Sequence, residues 1–587
     1  MYKVKVIENE KISILDVDHN EDLYTILSRH GFSISATCGG NGTCGKCKVI
    51  IDNPKEPNNH EKKLLSSDEL KNNIRLACLY NVDSNIEVKI INSQNKAKIM
   101  KNIYNNKINL NKSIKIKEIE LGDITLNDQR SLSQRIIDNI GTNINISLQT
   151  LEKLLHNKLN NFYVVYNEKE LIDIRQVNNL FSIAIDIGTT TVVIYLLDLL
   201  KGEIVDAQAF LNPQRIYGAD VITRIDFCNQ NENGVNILSK TLIQKINSEL
   251  EILFKRNKLS SEDIYKAVIV GNTTMLHILL NINPHRIAVA PFVPIFTNRI
   301  VVKANQINLN INNNSEVIIC DSVSGYIGAD ILSGIIATEI YKQEKFSLLL
   351  DLGTNGEMVL GNQDIILCCS TATGPAFEGA TLKCGMNALD GAVDSIRILN
   401  NEIEVSTIGN KKAIGICGSG IIAIIAELLE NGYIDFTGKF DENAIDKNNK
   451  FFSEIDNKIV FKITDDVYVT QQDIREIQLA KSAVSAGILT LLENANITFD
   501  DIENVYLAGG FGNFINPSHA VKIGLIPEPL KDKVKPVGNT AGNGAILASF
   551  DDDKLALFND LKNNIKYIEL SNSQRFNDLF IENMLFA

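Results

Sequence analysis

The chain has 587 residues, of which 44% are hydrophobic and 22% charged, and its formal net charge is −13 at pH 7. This composition is ordinary for globular protein and excludes a wholly disordered chain, while the length predicts about four domains. No apolar run reaches about 18 residues, and the first residues lack the apolar core of a signal peptide, so we predict a cytoplasmic protein with no membrane partner. The negative charge argues against nucleic acid as a partner.

Residues 1–92 have the pattern of a small β-rich domain with one or two helices. Alternating apolar residues predict strands over residues 2–7, 11–17, 48–52 and 86–91. A short amphipathic helix is predicted to begin at Leu23 and to end at Gly31. A loop rich in cysteine and glycine follows it.

The spacing of four cysteines in this domain is Cys38-x5-Cys44-x2-Cys47-x30-Cys78. Three thiolates on one loop and a fourth from a distant segment can surround a compact [2Fe-2S] cluster, and the glycines of the loop let backbone N–H groups turn toward sulfur. Structural zinc is the alternative, but zinc sites usually show two paired C-x2-C hooks and this chain has one. The segment resembles plant-type and vertebrate-type ferredoxins, although its first gap is five residues instead of four.

Residues 93–117 contain seven lysines and no acidic residue. They are predicted to form a linker, or alternatively a basic strip that contacts an acidic partner or a second protomer. Residues 118–178 are predicted to form a small middle domain, with helices over 131–140 and 148–159 and a strand over 162–166. No chemistry is evident there.

From residue 179 to 587 the chain alternates apolar strands, Gly/Thr loops and helices, which predicts α/β organisation. A hairpin motif occurs twice, and each copy is followed later by a strand that runs into a loop of small residues, which predicts two similar lobes around a cleft. Gly/Thr turns can direct N–H and hydroxyl donors at phosphate, and a strand-end aspartate can hold Mg2+ through water. The candidate residues are Asp186, Gly188, Thr189, Thr190 and Thr191 in the first copy, and Asp351, Gly353, Thr354, Asn355 and Gly356 in the second.

Two further loops are candidates for nucleotide contact. Gly509, Gly510, Phe511 and Gly512 follow an apolar strand, where missing side chains would allow an adenosine or its α-phosphate to approach the backbone. Gly418 and Ser419 precede an apolar helical run, whose N-terminus would suit an anion; a simple packing turn is the alternative.

The hairpins resemble the phosphate-1 and phosphate-2 motifs of the acetate and sugar kinase, heat-shock ATPase and actin superfamily, and residues 507–512 resemble its adenosine motif. A Walker sequence is absent from the chain. A ferredoxin segment followed by such an ATPase resembles the reductive activators of corrinoid proteins, as do the segments 212–220, 369–379 and 415–420. The resemblance implies a β-grasp ferredoxin-like domain, a linker, the small α/β middle domain and a two-lobed actin-like ATPase domain with duplicated ribonuclease H-like lobes.

For function, the resemblance implies ATP-dependent transfer of one electron from the cluster to the inactive Co(II) form of a corrinoid protein, which regenerates Co(I) in an anaerobic methyltransferase system. The implied cofactors are the [2Fe-2S] cluster, ATP and Mg2+. The implied partners are the corrinoid (cobalamin-binding) protein, an external low-potential electron donor and a second copy in a homodimer. Asp186, Asp351 and Asp220 are the candidate catalytic carboxylates.

Other functions stay open at this point. The protein could donate electrons to a different metalloenzyme, as activators with a [4Fe-4S] cluster between two subunits do; Cys384 and Cys417 are the candidate ligands. It could also be a small-molecule kinase with a redox-sensing domain, with Asp220, Asp321 or Asp330 as the catalytic carboxylate. Residues 370–385, rich in glycine and small residues, are predicted to form either a partner-docking loop or an internal turn.

Overall fold

The structure is a computed structural model. It describes the chain from residue 2 to residue 586, except residues 9–10, 18–20, 31, 33, 35–41, 43–44, 92–109, 123, 157–160, 375, 380, 400–401, 447–449, 456 and 510–514. Cys38, Cys44, Gly510, Phe511 and Gly512 therefore lie outside the described residues, as does most of the predicted linker. Among the residues described, no helix is both long and apolar enough to cross a bilayer.

The N-terminal domain is a five-stranded sheet crossed by one helix, Leu23–Arg29. The sheet has the order β2-β1-β5-β3-β4, in which β1 and β5 are parallel and the other pairs antiparallel. Its alternating apolar residues form one buried face against the helix, as period-2 patterning requires. This arrangement confirms the predicted β-grasp fold. The strands are β1 Tyr2–Glu8, β2 Lys11–Val17, β3 Lys48–Ile51, β4 Ile74–Leu76 and β5 Ile86–Ile90, and two short helices are Glu61–Leu64 and Ser67–Lys71.

A small sheet flanked by two helices follows. Its order is β6-β8-β9-β7, and its helices are Leu132–Ile140 and Leu148–His156. The strand β6 begins at Lys115, inside the range predicted as the linker, because Lys115 to Glu120 pair with β8. The strands are β6 Lys115–Glu120, β7 Asn145–Ile146, β8 Asn161–Tyr166 and β9 Glu170–Arg175.

The last described residues before this sheet are attached to the ATPase domain. Asn111 Nδ2 donates to Asp553 at 3.0 Å, and the Ser113 N–H donates to Asp552 at 2.5 Å. Lys112 Nζ donates to the Leu199 carbonyl. The end of the predicted linker is therefore fixed on the ATPase domain by polar contacts.

The first lobe of the ATPase domain contains a six-stranded sheet of order β12-β11-β10-β13-β15-β14. The central strand β10 pairs antiparallel with β11 and parallel with β13. The strands are β10 Phe181–Ile187, β11 Thr191–Asp198, β12 Glu203–Leu211, β13 Ile264–Gly271, β14 Ile300–Lys303 and β15 Glu316–Ile319, and the main helices are Val221–Gln230, Gly234–Asn257, Thr273–Leu279 and Ala329–Thr338.

The second lobe repeats this plan in the order β26-β25-β16-β17-β18-β27. Its sheet strands are β16 Phe346–Leu352, β17 Gly356–Gly361, β18 Ile366–Thr371, β25 Ile502–Ala508, β26 Val534–Gly538 and β27 Ile565–Tyr567. Two three-stranded sheets are inserted: β19 Ala392–Leu399, β20 Glu402–Thr407 and β21 Gly415–Ile416; then β22 Phe452–Ile455, β23 Lys458–Lys462 and β24 Tyr468–Thr470. The helices are Gly418–Glu430, Glu442–Asp446, Gln471–Ala495, Pro517–Lys522, Thr540–Phe550, Asp552–Asn564 and Gln574–Glu582.

The two lobes share the order of five strands, and the sixth strand lies at opposite edges, β14 beside β15 in the first lobe and β27 beside β18 in the second. In each, a central strand pairs antiparallel with the next strand of its hairpin and parallel with a strand that follows a long crossover. The hydrophobic cores form two separate groups of buried residues, one mainly in each lobe. The predicted duplication is therefore confirmed, and both hairpin turns lie at the same position of their lobes.

Two helices hold the lobes together, Ala329–Thr338 and Thr540–Phe550. A Cβ atom at Gly544 would stand 2.2 Å from the Ser333 carbonyl, so only glycine permits this approach. Ser333 Oγ also donates to the Ala541 carbonyl at 2.5 Å. Close helix packing thus fixes one side of the cleft between the lobes.

Candidate functional site

The described end of the cysteine loop brings two of the four predicted cluster ligands together. Cys47 is buried just before β3, and Cys78 lies in the turn after β4. Their Sγ atoms are 3.1 Å apart. This separation exceeds the roughly 2.05 Å of a disulfide bond and lets both sulfurs contact one iron. The Ala77 N–H, which donates to the Cys47 carbonyl at 2.9 Å, holds the two segments in place. The pair therefore fits a [2Fe-2S] cluster.

Glycine is required at two positions of this loop. Gly42 has φ +74°, and a Cβ there would stand 2.7 Å from the Leu79 side chain, next to Cys78. Gly45 has φ +66°, and its Cβ would stand 3.3 Å from Leu64. Positive φ disfavours every residue with a side chain, so these glycines bring the loop against the segment that carries Cys78.

Each of the two predicted phosphate turns is closed by a hydrogen bond from the N–H of its glycine. Gly188 N donates to the Thr191 carbonyl at 3.0 Å, and Gly353 N donates to the Asn355 carbonyl at 2.9 Å. Each turn joins the central strand of its lobe to the neighbouring hairpin strand, β10 to β11 and β16 to β17. The first hydrogen bond joins residues three positions apart and the second joins residues two positions apart, so the similar sequence patterns form related turns of unequal length.

The turns face each other across the cleft. The hydroxyl oxygens of Thr190 and Thr354 are 3.4 Å apart. Both hydroxyls also donate to one carboxylate: Thr190 to Glu378 Oε2 and Thr354 to Glu378 Oε1, each at 2.8 Å. An acidic group with two oxygens therefore occupies the place between the hairpins where phosphate is expected. Sequence reasoning did not select Glu378.

Buried polar groups support the first turn from behind. Arg224 is fully buried, and its guanidinium donates to the Thr189 carbonyl at 2.5 Å and to the Gly218 carbonyl at 3.0 Å. Asn272 Nδ2 donates to Thr189 Oγ1 at 3.0 Å. In the second turn, a Cβ at Gly356 would meet the Thr373 side chain at 2.8 Å. These contacts hold both turns rigidly in position.

Four carboxylates lie together behind the turns. Asp186 is on β10 and Asp351 is on β16. The charge of Asp351 raises the pKa of Asp186, Asp330 and Glu357, and the charge of Asp186 also raises the pKa of Asp330. Asn539 Nδ2 donates to Asp186 Oδ2 at 2.9 Å and caps the helix Thr540–Phe550. Within the described part of the chain, no three such side chains converge closely enough to hold a metal ion directly.

Burial raises the pKa of all four groups, and repulsion between their charges adds to the rise for Asp186, Asp330 and Glu357. Burial raises the pKa of Asp186 to about 7, with the Asn539 hydrogen bond opposing the rise and the charge of Asp351 adding to it. Burial, together with the charges of Asp351 and Asp186, raises the pKa of Asp330 to about 8. Burial also raises the pKa of Asp351 to about 6 and that of Glu357 well above its usual value. A bound cation would reverse this effect.

The third predicted catalytic carboxylate has a different setting. Asp220 caps the helix Val221–Gln230, and its Oδ1 accepts from the Thr223 N–H at 2.8 Å and from the Thr223 hydroxyl at 3.1 Å. Asp330 and Glu357, instead of Asp220, are grouped with Asp186 and Asp351. The catalytic role of Asp220 stays a prediction.

The other predicted nucleotide loops are described only in part. Gly509 directly follows β25 and has φ +87°, and a Cβ there would stand 2.8 Å from Asp351 Oδ1. Its backbone therefore lies directly against the carboxylate group, whereas residues 510–512 lie outside the described residues. Gly418 and Ser419 are buried in the first turn of the helix Gly418–Glu430. Their contact with nucleotide stays a prediction.

The two cysteines proposed for a shared [4Fe-4S] cluster are poor candidates for ligands. Burial raises the pKa of both the Cys384 and the Cys417 thiol. Cys417 Sγ lies 3.2 Å from the Val393 carbonyl and 3.3 Å from Ser419 Oγ, inside the lobe. Because iron is held by thiolate, these surroundings disfavour ligation.

A ferredoxin-like domain with paired thiols and a duplicated ATPase with facing phosphate turns define the class: an iron–sulfur electron carrier joined to an actin-like ATPase. Three family definitions match successive parts of the chain. The 2Fe-2S iron-sulfur cluster binding domain matches residues 6–83, the RACo middle region matches 181–343, and the C-terminal domain of RACo, the ASKHA domain, matches 345–587. The RACo middle region therefore corresponds to the first lobe of the ATPase domain, and not to the small middle domain predicted over residues 118–178.

Similar proteins cover the whole length. The corrinoid activation enzyme RamQ of Eubacterium limosum is 30% identical over 98% of this chain and 97% of its own. The [Co(II) methylated amine-specific corrinoid protein] reductase of Methanosarcina barkeri is 25% identical over 62% of this chain and 68% of its own. The solved structure of a reductive activator for corrinoid, iron-sulfur protein matches 100% of this chain and 98% of its own, with 30% identity and a TM-score of 0.74. The chain belongs to the RACo family of reductive activators of corrinoid proteins.

Proposed function

We infer that this protein uses ATP to drive the reductive activation of a corrinoid protein, in which one electron passes to the inactive Co(II) form and regenerates Co(I). The observation that carries this proposal is the pair of facing phosphate turns, with Thr190 and Thr354 3.4 Å apart, in a chain that also carries a ferredoxin domain. Membership of the family supports the same reaction.

The cluster is assigned to Cys38, Cys44, Cys47 and Cys78. The approach of the Cys47 and Cys78 sulfurs supports half of this assignment, and the sequence spacing supports the other half. When bound, a [2Fe-2S] cluster supplies a one-electron carrier.

Nucleotide phosphates are assigned to the two Gly/Thr turns, and Mg2+ to the carboxylate side of the same cleft. Mg2+ keeps several waters and usually takes one or two carboxylates plus substrate phosphates, so the absence of a converging triad among the described side chains is compatible with it. Asp186 and Asp351 would orient the ion's water shell, while Asn539 holds Asp186 in place. The hydroxyls of Thr190 and Thr354 would hold phosphate oxygens.

We further propose a corrinoid protein of a methyltransferase system as the partner, an external low-potential donor as the source of electrons, and a cytoplasmic homodimer as the working form. A corrinoid substrate is supported by the names of both similar proteins, which refer to corrinoid activation and to a Co(II) corrinoid protein reductase. Because residues 111–113 are fixed on the ATPase domain and β6 begins at Lys115, the part of the lysine-rich segment before residue 111 would let the ferredoxin domain approach a partner and withdraw.

The test is a Co(I) assay under anaerobic conditions. Reduced protein is mixed with a Co(II) corrinoid protein, with and without Mg-ATP, and the Co(I) absorbance band is followed. We expect Co(I) to accumulate only with ATP. Equal yields of Co(I) in both samples would show that ATP does not drive the transfer.

A further inference from the structure

A continuous set of contacts joins the phosphate turns to the ferredoxin domain. At the nucleotide end, the Glu378 carboxylate accepts one hydrogen bond from each lobe, from Thr190 and from Thr354, both at 2.8 Å. Phosphate oxygens would need the same two hydroxyls and carry the same sign of charge. Glu378 and a bound phosphate therefore exclude each other from this position.

At the other end, Gly379, the residue after Glu378, contacts the cysteine loop through its carbonyl oxygen. Lys46 Nζ donates to the Gly379 carbonyl at 2.7 Å and to the Gly385 carbonyl at 2.8 Å. Lys46 immediately precedes the proposed cluster ligand Cys47. Glu378, which contacts both phosphate turns, is thus followed directly by Gly379, whose carbonyl accepts a hydrogen bond from the cysteine loop.

The segment between these ends is tightly packed. Gly379 has φ +71°, and a Cβ there would stand 2.8 Å from the Met386 carbonyl. A Cβ at Gly385 would stand 1.9 Å from the Gly379 carbonyl oxygen. Asp473 Oδ1 accepts from the Lys383 N–H at 2.7 Å. The Gly379 backbone is thus packed against Gly385 and Met386, so a backbone shift at Glu378 would move both carbonyls that accept from Lys46.

The ferredoxin domain also contacts the first lobe. Ile216, in the short helix Pro213–Ile216, packs against the hydrophobic core of that domain. The domain therefore rests on both lobes, at Ile216 on one side and at the carbonyls of Gly379 and Gly385 on the other. A change in the angle between the lobes would alter the distance between these two supports.

We propose that Glu378 and Lys46 are positioning residues through which nucleotide phosphates control the docking of the ferredoxin domain on the ATPase domain. This proposal rests on the nucleotide site of the proposed function. Without nucleotide, Glu378 bridges the turns and its neighbour Gly379 holds Lys46. When phosphates occupy the turns, Glu378 leaves, the Gly379 carbonyl shifts and Lys46 is released. The ferredoxin domain is then released from this support on the ATPase domain and can move toward an electron acceptor.

The test is amide hydrogen exchange of the anaerobically purified, full-length, cluster-loaded protein, with and without Mg2+ and a non-hydrolysable ATP analogue. In the wild type, we expect the analogue to raise exchange about tenfold in peptides that cover residues 45–50 and 379–386, because both lose a shared contact. In Lys46→Met, exchange of residues 45–50 should be high from the start and insensitive to the analogue. Lys46→Arg should restore the response.

The second variant tests the competition itself. Glu378→Gln keeps the side-chain shape but removes the charge, so the analogue should bind about tenfold more tightly and the exchange response should disappear. Two matched controls should behave like the wild type. Lys48→Met alters a lysine that pairs with Glu69 inside the ferredoxin domain, and Glu404→Gln alters an exposed glutamate of β20.

The possible results separate the two proposals. If the analogue binds the wild type and leaves both peptides unchanged, the coupling is wrong while the nucleotide site stands. If the analogue does not bind at all, the nucleotide site fails and the coupling fails with it. Unaltered affinity of the analogue for folded Glu378→Gln also overturns the coupling. The wild-type comparison needs no variant, so a variant that fails to fold leaves the test decisive.

Discussion

Binding of Mg-ATP should expel protons from the carboxylates behind the phosphate turns. With pKa values of about 7 for Asp186, about 8 for Asp330 and about 6 for Asp351, these side chains are partly protonated near neutral pH. Because the pKa of each aspartate is raised in the folded chain, the side chain keeps its proton up to a higher pH than a free aspartate and loses it as the pH rises through the raised pKa. A cation favours the ionised forms, so it lowers all three pKa values.

The magnitude follows from these pKa values. At pH 7 about half of Asp186, about nine-tenths of Asp330 and about a tenth of Asp351 carry a proton, so up to about 1.5 protons leave per nucleotide bound. At pH 9 only about a tenth of a proton remains to be lost from these three aspartates. The affinity for Mg-ATP should therefore rise with pH between about 6 and 8 and then level off.

The assay is titration calorimetry in buffers of different ionisation enthalpy, at pH 7 and at pH 9. Because ATP itself takes up and loses protons, the decisive comparison is with Asp330→Asn, which removes the most protonated group and should reduce the release at pH 7 by about 0.9 proton. Asp364→Asn, an exposed aspartate between β17 and β18, is the matched control. An equal release of protons by the wild type and Asp330→Asn would refute the reasoning.

Three further predictions address the other parts of the two sites. The purified protein should contain about two irons and two sulfides per chain, and Cys78→Ser should lose or shift its visible spectrum. Cys384→Ser should leave the iron content and the spectrum unchanged. Four irons per chain or stoichiometric zinc would contradict the assignment. Thr354→Val should weaken ATP binding about tenfold in an equilibrium titration, because it removes one hydroxyl donor. Thr354→Ser should restore the affinity. Wild-type affinity in folded Thr354→Val would exclude a contact between the Thr354 hydroxyl and the phosphates. Asp186→Ala and Asp351→Ala should each reduce ATP hydrolysis, measured as phosphate release beside a check of folding, and unchanged hydrolysis in both would remove these aspartates from the site.

Much of the fold and part of the site were predictable because their signals are local. The two Gly/Thr hairpins are contiguous segments, each flanked by apolar strands, and turn chemistry of this kind depends on neighbouring residues. The spacing of the four cysteines likewise predicts a ligand set, of which the structure brings Cys47 and Cys78 together. The duplicated lobes followed from the repetition of one hairpin motif, and the structure confirms the shared strand order.

Aspartate roles could not be predicted in the same way. Asp220 resembles the other carboxylates in sequence, but the structure uses it to cap a helix, whereas Asp330 lies with Asp186 and Asp351. A helix cap and a carboxylate buried beside other carboxylates can have the same local pattern, since an acidic residue before a helix satisfies free N–H groups wherever the helix lies. Only the packing of the lobes distinguishes them.

The sequence alone determined the class of this protein, because cysteine spacing and repeated phosphate turns are short-range patterns with specific chemistry. The tertiary structure decided which distant residues serve these patterns. Asn539 reaches Asp186, Glu378 reaches Thr190, and Lys46 reaches Gly379 across 353, 188 and 333 positions of the chain. No local propensity encodes such pairs, since they form only when the lobes close on each other and the ferredoxin domain packs against them.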